Sequence, residues 1–138
     1  MKTKKIIIGI LILGLLGVFV AYKMYHKPHV NVADESADIT LTANTILEDF
    51  SSDETMANTK YLEKIIQVEG IVSEVKTANE KGIITLKTND DFASVLCHLS
   101  TEATKKIHTV KVGQTLKLKG ICTGFLMDVV LIKCEFIN

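Results

Sequence analysis

The feature that most constrains this chain is an uncharged apolar run near its start. Ile6 to Tyr22 reads IIIGILILGLLGVFVAY, 17 residues without a charged side chain. An α-helix of this length is about 25 Å long, close to the thickness of the hydrocarbon core of a bilayer. We therefore interpret residues 1–22 as a transmembrane anchor. A cleaved signal peptide is the alternative, but Phe19 before Ala21 is a poor cleavage site, and no cysteine near the end of the run could carry a lipid.

The charges around the run predict its orientation. Three lysines and the α-amine precede it, whereas two lysines and two mostly neutral histidines follow it within residues 23–29. Since positive charge favours the cytoplasmic side, the N-terminus is expected inside and the rest of the chain on the outer, periplasmic side of a bacterial inner membrane. Residues 23–37 contain the only proline and an acidic cluster without periodicity, which is typical of a linker.

The rest of the chain is acidic. From Val30 onward there are 11 lysines and 16 acidic residues, a formal charge of 11 − 16 = −5, and the sequence has no arginine. Excess negative charge repels a phosphate backbone, and arginine is the side chain best suited to bidentate phosphate or guanine recognition. The composition therefore argues against nucleic acid as a partner.

A helical lead-in is expected over residues 38–61. The apolar residues from Ile39 to Phe50 recur at spacings of three and four, with Asp38 as the predicted N-cap. Ser51 and Glu54 have the spacing of a capping box, which predicts a second, shorter helix ending near Tyr61.

After Tyr61 the apolar period changes to two, which is typical of strands. Strands are expected over 66–76, 84–88 and 94–99, then a short helix over 100–108 and two strands over 116–122 and 130–136. Three strands, a helix and two strands is the order of the OB fold. We therefore predict an all-β fold, a five-stranded OB-fold Greek-key barrel with its helix between strands 3 and 4, filling residues 38–138 together with the lead-in. An SH3-like barrel is the alternative.

Two segments of the sequence carry a resemblance to a known family. They are GICTGFLMDVVLIKC, Gly120 to Cys134, which is the more specific, and EDFSSDETMANTKY, Glu48 to Tyr61. Together with apolar and glycine positions between them, they resemble the tRNA-anti-like group of bacterial OB-fold proteins, the second segment resembling the helical lead-in of that group. The resemblance covers most of residues 45–138. It implies the fold and a bacterial envelope setting. It implies no particular activity, because the family name records similarity to anticodon-binding OB domains rather than a demonstrated tRNA-binding role.

The three cysteines, Cys97, Cys122 and Cys134, share the parity of their apolar neighbours, so we expect buried core side chains. A disulfide between Cys122 and Cys134 is the alternative, although a turn centred near Leu126 would leave the two out of register. No zinc site is expected, because no two cysteines have C-x-x-C spacing and the adjacent Cys97 and His98 would point to opposite faces of a strand.

A ligand surface can be predicted only from the fold. In an OB barrel the outer face of the second and third strands, with the loops after strands 1 and 4, is the usual ligand surface. Solvated surface side chains are the alternative interpretation of the same residues. The predicted sheet residues are Lys76, Thr85, Lys87 and His98, and Phe125 and Asp128 are predicted from the loop between strands 4 and 5.

No catalytic motif, paired carboxylates or glycine-rich phosphate loop is present in the sequence, so neither an enzyme nor a cofactor is expected. The favoured hypothesis is a non-catalytic, membrane-anchored binding module for a peptide, glycan or protein partner. The alternatives are single-stranded nucleic-acid binding and a structural role as a subunit of a membrane complex. Five aromatic residues after Val30 offer few platforms for base stacking.

Overall fold

The structure is a computed structural model that describes residues 1–25 and 31–137. The chain divides into two compact units, residues 1–30 and 31–138. In the first unit, helix α1 (Lys2–Tyr25) has a mean hydropathy of 2.5 over its most apolar 18 residues and no buried side chain. The helix is long and apolar enough to cross a membrane, and a signal sequence has the same length and composition. Part of the predicted linker, residues 26–30, lies outside the described residues.

The second unit is a closed five-stranded barrel. Its strands are β2 (Ile65–Ala78), β3 (Lys81–Lys87), β4 (Val95–Leu99), β5 (Thr115–Leu126) and β6 (Asp128–Phe136). β2, β3 and β4 form an antiparallel meander, β6 pairs parallel to β4 and antiparallel to β5, and β5 closes the barrel on β2. Helix α4 (Thr101–Thr104) and a 3₁₀ turn (Ile107–Thr109) lie between the third and fourth barrel strands. The predicted OB-fold order is confirmed.

The start of the lead-in differs from its prediction, because a short strand, β1 (Ile39–Thr42), replaces the first helical turn. β1 runs parallel to β2, with Ile39 opposite Ile66. The β-branched residues of this segment favour a strand. Asp38 is therefore not an N-cap: its carboxylate accepts a hydrogen bond from the Ile65 backbone N–H at 3.0 Å.

Two helices follow, α2 (Ala43–Ser52) and α3 (Glu54–Tyr61), and their caps also differ from the prediction. Thr42 caps α2 through the backbone N–H of Thr45, and Asp53 caps α3 through that of Met56. Ser51 lies in the last turn of α2 and does not start the second helix. The predicted apolar face is nevertheless buried, including Ile46, Leu47, Phe50, Ala57 and Tyr61.

The barrel interior follows the predicted alternation, and the three cysteines are buried in it as expected. All three are free thiols in this structure. Cys122 lies opposite Leu131, whereas a bulge in β6 places the Cys134 sulfur against Gly120. A Cβ at position 120 would overlap that sulfur, which explains why the site holds a glycine.

The last residues of the predicted linker, 31–37, belong to the barrel unit. Val32 is buried, and the Lys119 ammonium donates hydrogen bonds to the carbonyl oxygens of Ala33 (3.2 Å) and Glu35 (2.8 Å). Lys119 lies on β5, so this segment is held against that strand.

Candidate ligand-binding face

The four sheet residues predicted for the ligand surface lie on one face. Lys76 is opposite Ile83, which is opposite His98, and these residues form one row across β2, β3 and β4. The inward residues of the same strands, such as Ile84, are buried. Lys76 and His98 therefore point outward. We call the surface formed by the following side chains the outer face: Lys76, Ile83, Thr85, Lys87, Leu96, His98, Val130 and Ile132.

The centre of the outer face is aliphatic. Ile83, Leu96, Val130 and Ile132 are half-buried, and Leu96 is paired with Thr85 on one side and Val130 on the other. The lysines lie at its margin. The exposed ammonium of Lys76 is 3.9 Å from Glu74, a surface ion pair that contributes little to stability.

Thr85 has an unusual environment on this face. Its residue surface is only 8% exposed, and its hydroxyl has no hydrogen-bond partner, the only such buried side-chain atom among the described residues. A buried hydroxyl without a partner costs free energy. The carbonyl of the same residue does accept a hydrogen bond, from the Ser73 hydroxyl at 3.3 Å. No hydrogen bond within residues 31–137 therefore accounts for the buried hydroxyl.

Phe125 is not on the outer face. Its ring stacks on Phe50 with centroids 5.9 Å apart, and it pairs with the buried Val129. A bulge at Thr123, next to Gly124 with φ +123°, reverses the side-chain parity near the end of β5. The sequence predicts Phe125 as a loop residue facing a ligand, whereas in the structure it lies on β5, is half-buried and packs against the core.

Asp128, at the start of β6, is hydrogen-bonded to the β3–β4 loop. Its Oδ1 accepts hydrogen bonds from the backbone N–H of Ser94 at 2.7 Å and from the Ser94 hydroxyl at 3.0 Å. The Val129 N–H donates to the Ser94 carbonyl at 3.0 Å. The β5–β6 hairpin is thus fastened to the β3–β4 loop at this point.

A cleft of about 420 Å³ adjoins the outer face at Lys87, and sequence reasoning missed it. It is lined by Ser73, Lys87, Thr88 and residues 90–94 of the β3–β4 loop. Phe92, on its rim, is 92% exposed. In the sequence, the only indication of this cleft was a phenylalanine, Phe92, among residues typical of turns. Its position beside Lys87 depends on the folded conformation of the loop.

The thiols of Cys122 and Cys134 have raised pKa values. Burial raises the pKa of Cys122, and burial together with the neighbouring Cys97 raises the pKa of Cys134 well above its ordinary value. Such thiols remain protonated near neutral pH and are poor nucleophiles and ligands. Over residues 1–25 and 31–137, no group of three or more histidine, cysteine or acidic side chains could hold a metal ion.

Comparison with solved structures supports the fold. A Klebsiella pneumoniae lipoprotein, provisionally named a nucleic acid-binding lipoprotein, superposes with a TM-score of 0.62 at 13% identity, covering 75% of this chain and 100% of that one. A protein provisionally named an aspartyl-tRNA synthetase, from Leishmania major, gives 0.49 at 10% identity, covering 88% of this chain and 25% of that one. The OBody AM3L09 bound to hen egg-white lysozyme gives 0.45 at 12% identity, covering 57% and 86%. Only the first superposition is close enough to support the fold.

Comparison of sequences identifies the family. A search of curated protein sequences finds no match. A profile of the tRNA_anti-like family, however, matches residues 1–136, nearly the whole chain. The resemblance inferred from the residues between Tyr61 and Cys134 is confirmed. The closed five-stranded barrel of this chain, with a helix between its third and fourth strands, is that of the OB fold. This chain belongs to the tRNA_anti-like family.

Proposed function

We propose that this chain is a non-catalytic, membrane-anchored OB domain that binds a protein or peptide partner through its outer face. The observation that carries the proposal is the aliphatic centre formed by Ile83, Leu96, Val130 and Ile132. Apolar side chains surrounded by polar ones are typical of the centre and rim of a protein interface. A glycan partner has less support, because sugars bind on aromatic rings and the outer face has none.

The hydroxyl of Thr85 gives independent support. In the free domain it is buried beside Leu96 without a partner, which lowers stability. A peptide lying along the outer face would bring backbone donors and acceptors close to it. A small rotation of the side chain would then let the hydroxyl form the missing hydrogen bond.

Single-stranded nucleic acid is the second candidate, since Lys76, Lys87 and His98 share the outer face and the Klebsiella relative carries a name for nucleic-acid binding. It ranks second for physical reasons. The adjacent cleft is lined by the carboxylates of Asp90 and Asp91, the chain has no arginine, and no aromatic ring lies on the outer face to stack a base.

Two measurements on the full chain separate these functions. A photo-crosslinking residue at Lys87 in growing cells should capture a protein, whereas the same residue at Lys111 should not. Leu96→Asp should abolish the crosslink. Fluorescence anisotropy with a labelled oligonucleotide at low salt should show no tight binding; tight, salt-sensitive binding that Lys76→Glu and Lys87→Glu remove would establish nucleic acid instead.

We also propose that α1 is an uncleaved anchor in a bacterial inner membrane, with the N-terminus in the cytoplasm and the barrel on the outer side. The lysines before the apolar run and its poor cleavage site support this topology. The chain should resist alkaline extraction from membranes. Protease added to spheroplasts should digest the barrel, and full protection would reverse the orientation.

A further inference from the structure

Three large apolar side chains protrude at one edge of the barrel and do not pack in the core. Phe92 is 92% exposed, Leu126 87% and Met127 78%. Phe92 lies two residues before Ser94, and Met127 directly precedes Asp128, the residue to which Ser94 is hydrogen-bonded. The β3–β4 loop and the β5–β6 hairpin that carry the three side chains are therefore adjacent, and we call the three side chains the apolar crest.

The loops that present the crest are held by their own hydrogen bonds. The Thr88 hydroxyl donates to the Ala93 carbonyl at 2.6 Å, and the Phe92 N–H donates to Asp90 Oδ1 at 2.7 Å. These bonds fix the loop with the Phe92 ring outside. The ring is therefore presented in a defined position before any partner arrives.

Met127 has a backbone conformation that methionine rarely adopts. Its φ is +74°, the left-handed region that glycine and asparagine adopt most readily. Its side chain makes no contribution to the core, because most of it is exposed. Neither turn geometry nor packing explains a methionine here, and unexplained backbone strain directs attention to a role in binding.

We propose that the apolar crest inserts into the lipid interface of the membrane. The inference rests on the anchor proposed for α1. Only residues 26–30 separate that helix from the barrel unit, so an anchored chain keeps the domain at a high effective concentration beside lipid. Under that condition even the weak partitioning of three side chains is sufficient. Protruding loop tips need no complementary pocket, which suits a bilayer better than a protein surface.

The experiment uses the full chain reconstituted in phosphatidylcholine nanodiscs, with a nitroxide attached at Met127→Cys or Phe92→Cys. The native cysteines are buried, so the reagent reaches only the introduced thiol in the folded protein. Val112→Cys is the matched control, since Val112 is also apolar and 66% exposed but lies in the segment before β5. We expect labels at 92 and 127 to be several-fold better shielded from a water-soluble relaxation agent, and more accessible to oxygen, than the label at 112.

The outcomes separate this inference from the anchor on which it rests. If alkali extracts the chain from the membrane, the anchor proposal fails and the inference fails with it. If the chain stays in the membrane but all three labels are equally exposed to water, only the crest proposal is overturned. Shielding that appears only after cell proteins are added would assign the crest to a protein partner and also overturn the lipid proposal.

Discussion

Ser94 and Asp128 are 34 residues apart in the chain and share two hydrogen bonds, both of which end on the same carboxylate oxygen, Asp128 Oδ1. This contact fastens the β3–β4 loop to the β5–β6 hairpin, at the edge of the barrel where the apolar crest protrudes. The position of Phe92 relative to Met127 therefore depends on it.

Asp128→Ala should lower the free energy of unfolding by about 1–3 kcal/mol, because two donors of Ser94 lose a charged acceptor. Ser94→Ala is the control, since it removes only the hydroxyl bond and should cost about 1 kcal/mol or less. Urea unfolding followed by circular dichroism measures both. Equal losses for the two variants would mean that the backbone N–H bond contributes nothing.

Thr85→Val should raise the free energy of unfolding by about 1 kcal/mol, because it replaces a buried hydroxyl without a partner by a methyl group of similar size. Thr88→Val is the matched control. Thr88 is equally buried, but its hydroxyl donates to Ala93 and accepts from the Asp90 N–H, so this variant should be destabilised. If Thr85→Val is destabilised as well, the Thr85 hydroxyl has a partner in solution, such as a bound water.

Gly120→Ala should destabilise the barrel by about 1–3 kcal/mol, since the new methyl group would overlap the sulfur of Cys134. Cys134→Ala removes that sulfur. In the double variant the cost of the alanine at 120 should therefore be smaller than in the wild type, although the Ile132 carbonyl, 3.0 Å away, still limits the space. Thermal unfolding of the four proteins gives the coupling energy, and strict additivity would show that the two sites do not touch.

Stability should fall as the pH rises above about 8.5, the ordinary pKa of a thiol. Burial raises the pKa of Cys122 and Cys134, so the folded state keeps these protons while the unfolded chain loses them. The stability that such a group contributes is fully present below the pKa of the thiol in the unfolded chain. It is lost as the pH rises through the pKa of the same thiol in the folded protein. The Cys122→Ala variant should show a shallower decline, and a pH-independent free energy of unfolding between 8 and 10 would contradict the prediction.

The same burial should protect the thiols from alkylation. Iodoacetamide added to the native protein at pH 8 should modify none of the three cysteines, and all three should react after unfolding without prior reduction. Mass spectrometry reads the number of modified sites. Two cysteines that become reactive only after reduction would show that a disulfide forms in the oxidising compartment.

Local patterns in the sequence were sufficient for much of the fold. The apolar run predicted a helix long enough to cross a membrane, and period-two alternation predicted the order of the five barrel strands and the burial of all three cysteines. These features depend on side-chain polarity along a single segment. They can be derived because strand and helix periods place neighbouring residues on definite faces.

Contacts between distant segments decided the rest. β1 forms at Ile39 because β2 offers it a partner, and the bulge near Gly124 turns Phe125 away from the predicted ligand surface and onto Phe50. A bulge changes the face of every following side chain, and its position is set by the pairing of two strands. The sequence by itself therefore determined the five barrel strands, their order and the face on which their side chains lie, whereas the tertiary structure determined the pairing of β1, the position of Phe125 and the side chains that protrude beside Asp128.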